Sequence, residues 1–274
     1  MGFPGATADP ASAAYVVVGA PLDVSTSFRP GARFGPRRVR TFAEPFEDFD
    51  RRTGLRFSGL GVADAGDVRA WDDAVEYLEF LQAELAAVAA ADAVPLVVGG
   101  EHTVSVAGVR ALEPDVVVCL DAHLDLRESY DGNPYSHACT TRRALETADE
   151  VVLLGVRSGS EAGWARADEP DVTVVPPEAV ADWTPAFDPD ASVYLSVDVD
   201  AADPSVAPGT GTMEPFGLEA VTMRDVVRAV APAASGFDVV EVNDRDDGQA
   251  AALAAKLLRE FVFSHAAGRA PAAD

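Results

Sequence analysis

Seven short runs of β-branched and other apolar residues recur along the chain, and each has the length of a β-strand. Most of them are apolar throughout instead of alternating with polar residues, which is typical of strands that are covered on both faces. The predicted strands lie at 15–21, 94–100, 115–121, 150–157, 171–177, 192–200 and 237–243.

Helical patterns separate several of these strands, and the clearest runs from Asp72 to Ala91. Strands that alternate with helices predict a mostly parallel sheet with helices on both sides. Pro36 suits the first turn of one further helix. Since no repeat or linker divides the chain, we predict one α/β domain at 15–266, between a loosely ordered N-terminus at 1–14 and a C-terminal tail at 267–274. The other helical patterns lie near 103–112, 137–148, 218–232 and 248–264.

The charge of the chain restricts its partners. The 274 residues include 45 acidic and 21 basic side chains, which give a net charge of −24 at pH 7. Nucleic acids and anionic membrane surfaces are bound through basic residues, so neither is an expected partner. The acids are spread along the chain and Lys256 is its only lysine. We therefore expect a halophilic protein, adapted to concentrated salt, where screening weakens self-repulsion.

The cysteines and the N-terminus indicate the compartment. Cys119 and Cys139 give no disulfide framework, and Cys119 lies in an apolar strand that suits a small buried side chain. The N-terminus lacks the charged region and apolar run of a signal peptide, and no window has the ~18 apolar residues of a membrane-spanning helix. We therefore expect a cytoplasmic protein.

Histidines and carboxylates follow the C-terminal ends of four predicted strands. Open α/β sheets bind their ligands at this edge, and alternate residues of a strand point the same way. Carboxylates and imidazoles without convergent thiolates suit a divalent ion such as Mn²⁺, and their number is enough for two ions. An acidic chain produces Asp-x-Asp pairs by chance, but chance alone does not place three clusters after apolar strands. The residues are Glu101, His102, Asp121, His123, Asp125, Asp198, Asp200, Asp203 and Glu241.

Longer motifs around these residues resemble the ureohydrolases, the family of arginases and agmatinases. GGEHTV (99–104), DAHLD (121–125) and SVDVDAADPSVAPGTGT (196–212) are similar to three family elements and follow the family's order. PLDVSTSFRPGARFGPRRVR (21–40) resembles the family's N-terminal segment, and DVVEVN (238–243) resembles its last strand. The resemblance implies a single three-layer, arginase-like α/β domain with an eight-stranded, mainly parallel sheet flanked by helices.

The same resemblance implies a binuclear manganese centre that hydrolyses a guanidino group to urea and an amine. Two aspartates, Asp121 and Asp198, would bridge the two Mn²⁺ ions. The first ion would be held by His102, Asp121, Asp125 and Asp198, and the second by Asp121, His123, Asp198 and Asp200.

Further roles follow from the resemblance for residues around the metals. Asp125 would also pass a proton to the leaving amine, and His137 would shuttle protons to solvent. Glu241 would pair with the guanidinium through two parallel hydrogen bonds. Gly209 and Thr210 lie in a loop that would line the substrate pocket. The alternatives are a turn histidine at 137 and a structural acid at 241.

Shorter motifs indicate which guanidino compound is the substrate. NPYSHA (133–138) and the following Arg142 and Arg143 resemble agmatinases more than arginases, so we expect hydrolysis of agmatine to putrescine and urea, a step of polyamine biosynthesis. Met213 and Phe216 depart from the agmatinase pattern, which leaves aminopropylagmatine, guanidinobutyrate, arginine and formimidoylglutamate as alternatives. A non-catalytic metal-binding scaffold and a single-zinc amidohydrolase are hypotheses from other classes. The resemblance also implies a homo-oligomer, either a trimer or a hexamer.

Overall fold

The computed structural model describes residues 2–69, 72–188 and 190–269. Within these ranges eight strands form one sheet, and every neighbouring pair of strands is parallel. The strands are β1 (Tyr15–Ala20), β2 (Val62–Asp67), β3 (Val94–Gly99), β4 (Val116–Leu120), β5 (Glu150–Leu154), β6 (Val172–Val175), β7 (Val193–Asp198) and β8 (Ala234–Val240). Their order across the sheet is β2-β1-β3-β8-β7-β4-β5-β6.

Helices cover both faces of this sheet. The helices in the described ranges are α1 (Gly35–Ala43), α2 (Ala74–Ala90), α3 (Ser105–Leu112), α4 (Thr140–Ala144), α5 (Glu161–Ala167), α6 (Pro177–Val180), α7 (Ala220–Val230) and α8 (Gln249–Arg269). Buried side chains of α1, α7 and α8 join the core on one face, and those of α2 and α3 join the core on the other.

The predicted three-layer α/β domain with an eight-stranded sheet is confirmed. The apolar runs predict seven of the strands and miss β2, whose sequence VADAGD has no continuous apolar run. β2 is an edge strand with an exposed second half, so continuous hydrophobicity is not needed there. Pro36 lies in the first turn of α1, and the Asp73 carboxylate caps α2 by accepting hydrogen bonds from two backbone N–H groups.

The N-terminal segment packs more tightly than the sequence suggests. Phe3 is 2% exposed, its ring packs at a tilt of 45° against Phe57, and its backbone N–H donates to the Asp64 carboxylate at 2.6 Å. An apolar ring at position 3 thus holds a segment that its small and polar neighbours predict to be loosely ordered. Met1 and residues 270–274, which belong to the predicted N-terminal segment and C-terminal tail, lie outside the described residues. Of the helices that are described, none is both long and apolar enough to cross a membrane.

The four strands that carry the candidate site residues are neighbours. β3, β8, β7 and β4 occupy the centre of the sheet in that order. Since all four run in the same direction, their C-terminal ends meet at one edge. The topology therefore gathers side chains from residue 101 to residue 241 into one place.

Candidate metal centre and substrate pocket

His102 stands at the centre of the first group of candidate ligands. It follows β3 in a single 3₁₀ turn that leads into α3, and it is 1% exposed. Its Nδ1 atom lies 3.0 Å from Asp121 Oδ2, 3.0 Å from Asp125 Oδ2 and 3.6 Å from Asp198 Oδ2. One imidazole nitrogen therefore faces carboxylate oxygens from two strand ends, β4 and β7.

A second group forms around His123 on the solvent side of the first. His123 Nδ1 lies 3.1 Å from Asp200 Oδ2 and 3.6 Å from Asp121 Oδ1. The backbone holds these carboxylates in place, because Asp121 Oδ1 accepts from the His123 N–H at 2.7 Å and Asp200 Oδ1 accepts from the Ala122 N–H at 3.1 Å. Asp121 thus contributes one oxygen to each group.

The electrostatics of the centre fit divalent cations. Burial, together with the neighbouring carboxylates, raises the pKa of Asp125, Asp198 and Asp200. Asp121 Oδ2 is buried and has no hydrogen-bond donor of acceptable geometry, although His102 Nδ1 is 3.0 Å away. A cation between these groups would relieve both the repulsion and the unpaired oxygen. Four carboxylates and two imidazoles are a donor set that Mn²⁺ accepts.

Cys119 is close to this centre but lies on the other side of the imidazole. Its Sγ is 3.6 Å from His102 Nε2, whereas the carboxylates face Nδ1. Burial raises the pKa of the Cys119 thiol to about 11, so the group is protonated at neutral pH. A protonated thiol is a poor metal ligand, which favours the small buried role predicted for this cysteine.

Glu241 offers an unpaired acceptor beside the metal centre. It is 1% exposed, and its Oε1 accepts from the His102 backbone N–H at 2.9 Å. Its Oε2 has no hydrogen-bond partner, and neither does the buried Thr210 Oγ1. A Cβ on Gly211 would meet the Arg29 carbonyl oxygen at 3.0 Å, and it would lie 3.7 Å from Glu241 Oε2. At Gly209 a Cβ would meet the Asp246 carboxylate at 2.4 Å, so packing explains that glycine.

His137 lies next to Glu241. Its Nδ1 lies 3.5 Å from Glu241 Oε1, and its Nε2 lies 2.9 Å from the Ser27 hydroxyl oxygen. Burial lowers the pKa of His137, but the Glu241 carboxylate outweighs this and raises it to about 9. The buried Glu101 holds the loop that carries Ser27, because its carboxylate accepts from the Ser25 N–H and from the Ser25 hydroxyl, each at 2.8 Å.

A cavity of about 200 Å³ opens next to the metal centre. His123, Asp125, Arg127 and Tyr130 are among the residues that line it. The Arg127 guanidinium lies 5.6 Å from the centre of the Tyr130 ring. The lining of the cavity therefore combines a carboxylate and an imidazole with an aromatic ring and a guanidinium.

Arg157 joins the metal centre to the loop that contains Met213 and Phe216. Its guanidinium donates to backbone carbonyls on both sides, among them Asp200 O at 2.9 Å and Glu214 O at 2.7 Å. Desolvation lowers the pKa of Arg157. The Glu214 carboxylate lies 3.8 Å from His123 Nε2, whereas the Phe216 side chain is 87% exposed.

Two of the candidate residues have strained backbones. Asp125 and Glu241 adopt positive φ angles of 49° and 61°, a region that residues with a Cβ seldom occupy. Strained backbone of this kind persists only where the surrounding contacts hold it in place. It occurs most often at functional sites. Both residues belong to the set predicted from the sequence.

Several residues around the candidate site could not be predicted from the sequence. Ser25 and Ser27 stand in an N-terminal segment of small polar residues with no periodic pattern, and Arg157 follows β5 with no acidic neighbour. Glu101 is among the candidate residues named from the sequence, but its hydrogen bonds to Ser25 are not predicted.

Comparisons with known proteins agree with this geometry. A family model described as the arginase family matches residues 13–264. An N(1)-aminopropylagmatine ureohydrolase of Thermococcus kodakarensis is 37% identical, over 91% of this chain and 90% of the relative. An agmatinase of Pyrococcus horikoshii is 36% identical, over 92% of each chain. The crystal structure of agmatine ureohydrolase of Thermoplasma volcanium superposes with a TM-score of 0.89 at 34% identity, and covers 97% of this chain and 94% of that one.

Proposed function

Because the chain belongs to the arginase family, we propose that it is a ureohydrolase that converts agmatine and water to putrescine and urea. The observation that carries the proposal is the unpaired Oε2 of Glu241, a buried anionic acceptor beside a cluster of metal-ligating side chains. A guanidinium is a planar cation with parallel N–H donors, and a carboxylate binds it through two such bonds. Thr210 Oγ1, also buried and unpaired, supports a polar ligand at this place.

We propose two Mn²⁺ ions as the cofactor, and the donor set supports this choice. When bound, the ions lower the pKa of water so that a nucleophile is available near neutral pH. Asp121 and Asp198 would bridge them. The ligands would be His102, Asp121, Asp125 and Asp198 for one ion, and Asp121, His123, Asp198 and Asp200 for the other.

The side chains of the pocket would then act on the substrate in order. Glu241 would fix the guanidinium with its carbon facing the metal centre, so that addition of the nucleophile meets an oriented electrophile. Asp125, whose carboxyl lies between His102 and the cavity, would give a proton to the departing amine nitrogen. His137 would return protons between this centre and solvent through the loop of Ser27.

A second candidate substrate is favoured by one observation on the cavity wall. Arg127 lines the same cavity as His123 and Asp125, and its guanidinium would attract a carboxylate. Guanidinobutyrate carries such a group, whereas agmatine carries an ammonium there. The Glu214 carboxylate near His123 favours agmatine instead. The relative strengths of the interactions of Arg127 and Glu214 with the bound substrate would therefore determine whether guanidinobutyrate or agmatine is preferred.

Urea release by the Mn²⁺-loaded protein tests the proposal, with agmatine, guanidinobutyrate, arginine and aminopropylagmatine measured side by side in high KCl. We expect kcat/KM to be highest for agmatine. Faster turnover of guanidinobutyrate, lost in Arg127→Ala, would move the substrate but keep the mechanism. Absence of urea from every compound, in a protein that binds two Mn²⁺ ions, would contradict the proposed function and favour formimidoylglutamate or a non-catalytic scaffold.

Other expectations stay predictions. They are the homotrimer or homohexamer, the cytoplasmic location, the adaptation to salt and the domain boundaries at 15 and 266. Sedimentation of the Mn²⁺-loaded protein in high KCl would test the oligomeric state.

A further inference from the structure

A polar row crosses the sheet directly beneath the metal ligands. Asp238 on β8 pairs with Ser196 on β7, and Ser196 pairs with Cys119 on β4. Side chains two residues apart on a strand share a face, so Asp121 and Asp198 stand one step above Cys119 and Ser196. The row therefore lies on the same face as two candidate ligands and one pleat further from solvent.

Asp238 is unusual in this position. It is fully buried in the central strand of the sheet, and in the described ranges no arginine or lysine nitrogen lies within ion-pair distance of it. Its carboxylate instead accepts from the Ser196 hydroxyl at 2.6 Å and from the Tyr194 hydroxyl at 2.8 Å. A buried carboxylate costs free energy, so a purely structural role would be served better by an apolar residue.

The hydroxyl of Ser196 connects this carboxylate to His102. Ser196 has one proton, which it donates to Asp238, so its lone pairs are left to accept. His102 Nε2 lies 3.3 Å from Ser196 Oγ. This geometry favours Nε2 as the donor to Ser196, and the Cys119 thiol, 3.6 Å from Nε2, has the Leu120 carbonyl as an acceptor for its own proton at 3.8 Å. In the Nε2–H tautomer, Nδ1 presents its lone pair to the side where the carboxylates of the metal centre converge.

We infer that Asp238 and Ser196 are positioning residues, which hold His102 in the Nε2–H tautomer and aim its Nδ1 at a metal ion. The chain Asp238–Ser196–His102 extends the familiar carboxylate–histidine pairing by one hydroxyl. The inference depends on the metal centre and not on the identity of the guanidino substrate.

Binding of Mn²⁺ itself measures this role, without reference to turnover. The free Mn²⁺ signal in electron paramagnetic resonance, followed during titration of metal-stripped protein, gives the dissociation constant of each ion. In Ser196→Ala we expect one of the two ions to bind about 10–100-fold more weakly, the usual effect of removing an outer partner of a ligand histidine. Asp238→Asn should weaken the same ion, because a neutral amide is a poorer acceptor for the Ser196 hydroxyl.

Tyr194→Phe is the matched control. It removes the other hydroxyl from the same carboxylate, at the same depth, but lies outside the path to His102. We expect its metal affinities to stay within about threefold of wild type, although the melting temperature of the metal-free protein falls as much as in Ser196→Ala.

The possible outcomes separate cleanly. Ser196→Ala with two unchanged Mn²⁺ affinities would overturn the inference, and so would an equal loss in Tyr194→Phe, which would indicate a general effect of packing. If Asp238→Asn does not fold, the comparison of Ser196→Ala with Tyr194→Phe decides alone. Because urea is not measured, failure of the proposed reaction leaves this result intact.

Discussion

Replacement of Glu241 by glutamine isolates one charge in the pocket. Glutamine keeps an oxygen that can accept from the His102 backbone N–H, which Glu241 Oε1 does now at 2.9 Å. At the position of the unpaired Oε2, however, it presents an NH₂ group. The N–H donors of a guanidinium would then face another donor, and the buried cation would lose its counter-charge.

The size of the effect follows from these two losses. One charge-assisted hydrogen bond contributes about 1.5–3 kcal/mol, and removal of one partner of a buried ion pair costs about 3–5 kcal/mol in total. The second figure includes the first, so we expect a loss of about 3–5 kcal/mol in the transition state. At about 1.36 kcal/mol per factor of ten, kcat/KM should fall roughly 150- to 5,000-fold.

The assay is urea release from agmatine, with the manganese content measured on the same samples. Glu101→Gln is the matched control, because Glu101 is equally buried but both of its oxygens already accept hydrogen bonds from Ser25. We expect it to change kcat/KM by less than about tenfold, since the Ser25 hydroxyl can turn to accept from the amide. A Glu241→Gln enzyme with two manganese ions and kcat/KM within tenfold of wild type would refute the reasoning. So would a loss of manganese, which would assign Glu241 to the metal centre.

Four further predictions concern stability. Removal of both metal ions by chelation should lower the melting temperature by about 10–30 °C, because each ion at 100–1,000 times its Kd stabilises the folded state by about 2.7–4.1 kcal/mol; an unchanged melting temperature would mean that the folded protein binds metal no better than the unfolded chain does. Burial lowers the pKa of His265 to about 4, so the unfolded chain takes up this proton near pH 6.5 and the folded chain does not. Stability should therefore fall as the pH drops from 6.5 to 4, and His265→Gln should lose less melting temperature between pH 7 and pH 5 than wild type does. Phe216 has a φ of 66° and an exposed ring, so Phe216→Gly should raise the melting temperature by about 1–3 °C; a decrease would show that the ring makes a stabilising contact. Finally, the melting temperature should rise with KCl concentration, since screening reduces the repulsion of a chain with net charge −24, and a maximum in dilute buffer would contradict the expected adaptation to salt.

The central part of the fold could be predicted because its strands are buried on both faces. Continuous apolar runs such as VVVCL mark β4 without ambiguity, and the residues after them reach the same edge by the parallel topology. The edge strand β2 could not be predicted in this way, because its exposed half needs no apolar residues.

Some residues of the candidate site could be predicted from the sequence and others could not, for a similar reason. The ligand side chains of His102 and Asp121 are close to their strand ends, so local sequence and topology together bring them together. The partners of His137 come from loops, where the path of the backbone depends on tertiary contacts such as those of Glu101 with Ser25. The role of Arg157 could not be predicted either. Its guanidinium donates to backbone carbonyls, and every residue type has a backbone carbonyl, so the sequence does not indicate these partners.

The position of β8 between β3 and β7 has a consequence for how the protein folds. β8 is the last strand to leave the ribosome, yet it occupies the middle of the sheet and pairs Phe237 with Leu96 on one side and with Leu195 on the other. Until β8 inserts between β3 and β7, the strand ends that bear His102 and Asp198 are not held close to each other. Pairings between such distant segments form slowly, because loop closure costs entropy before the contacts form. The proposed site of the first ion, which would take His102 from the end of β3 and Asp198 from the end of β7, is therefore assembled only after β8 has inserted between these strands.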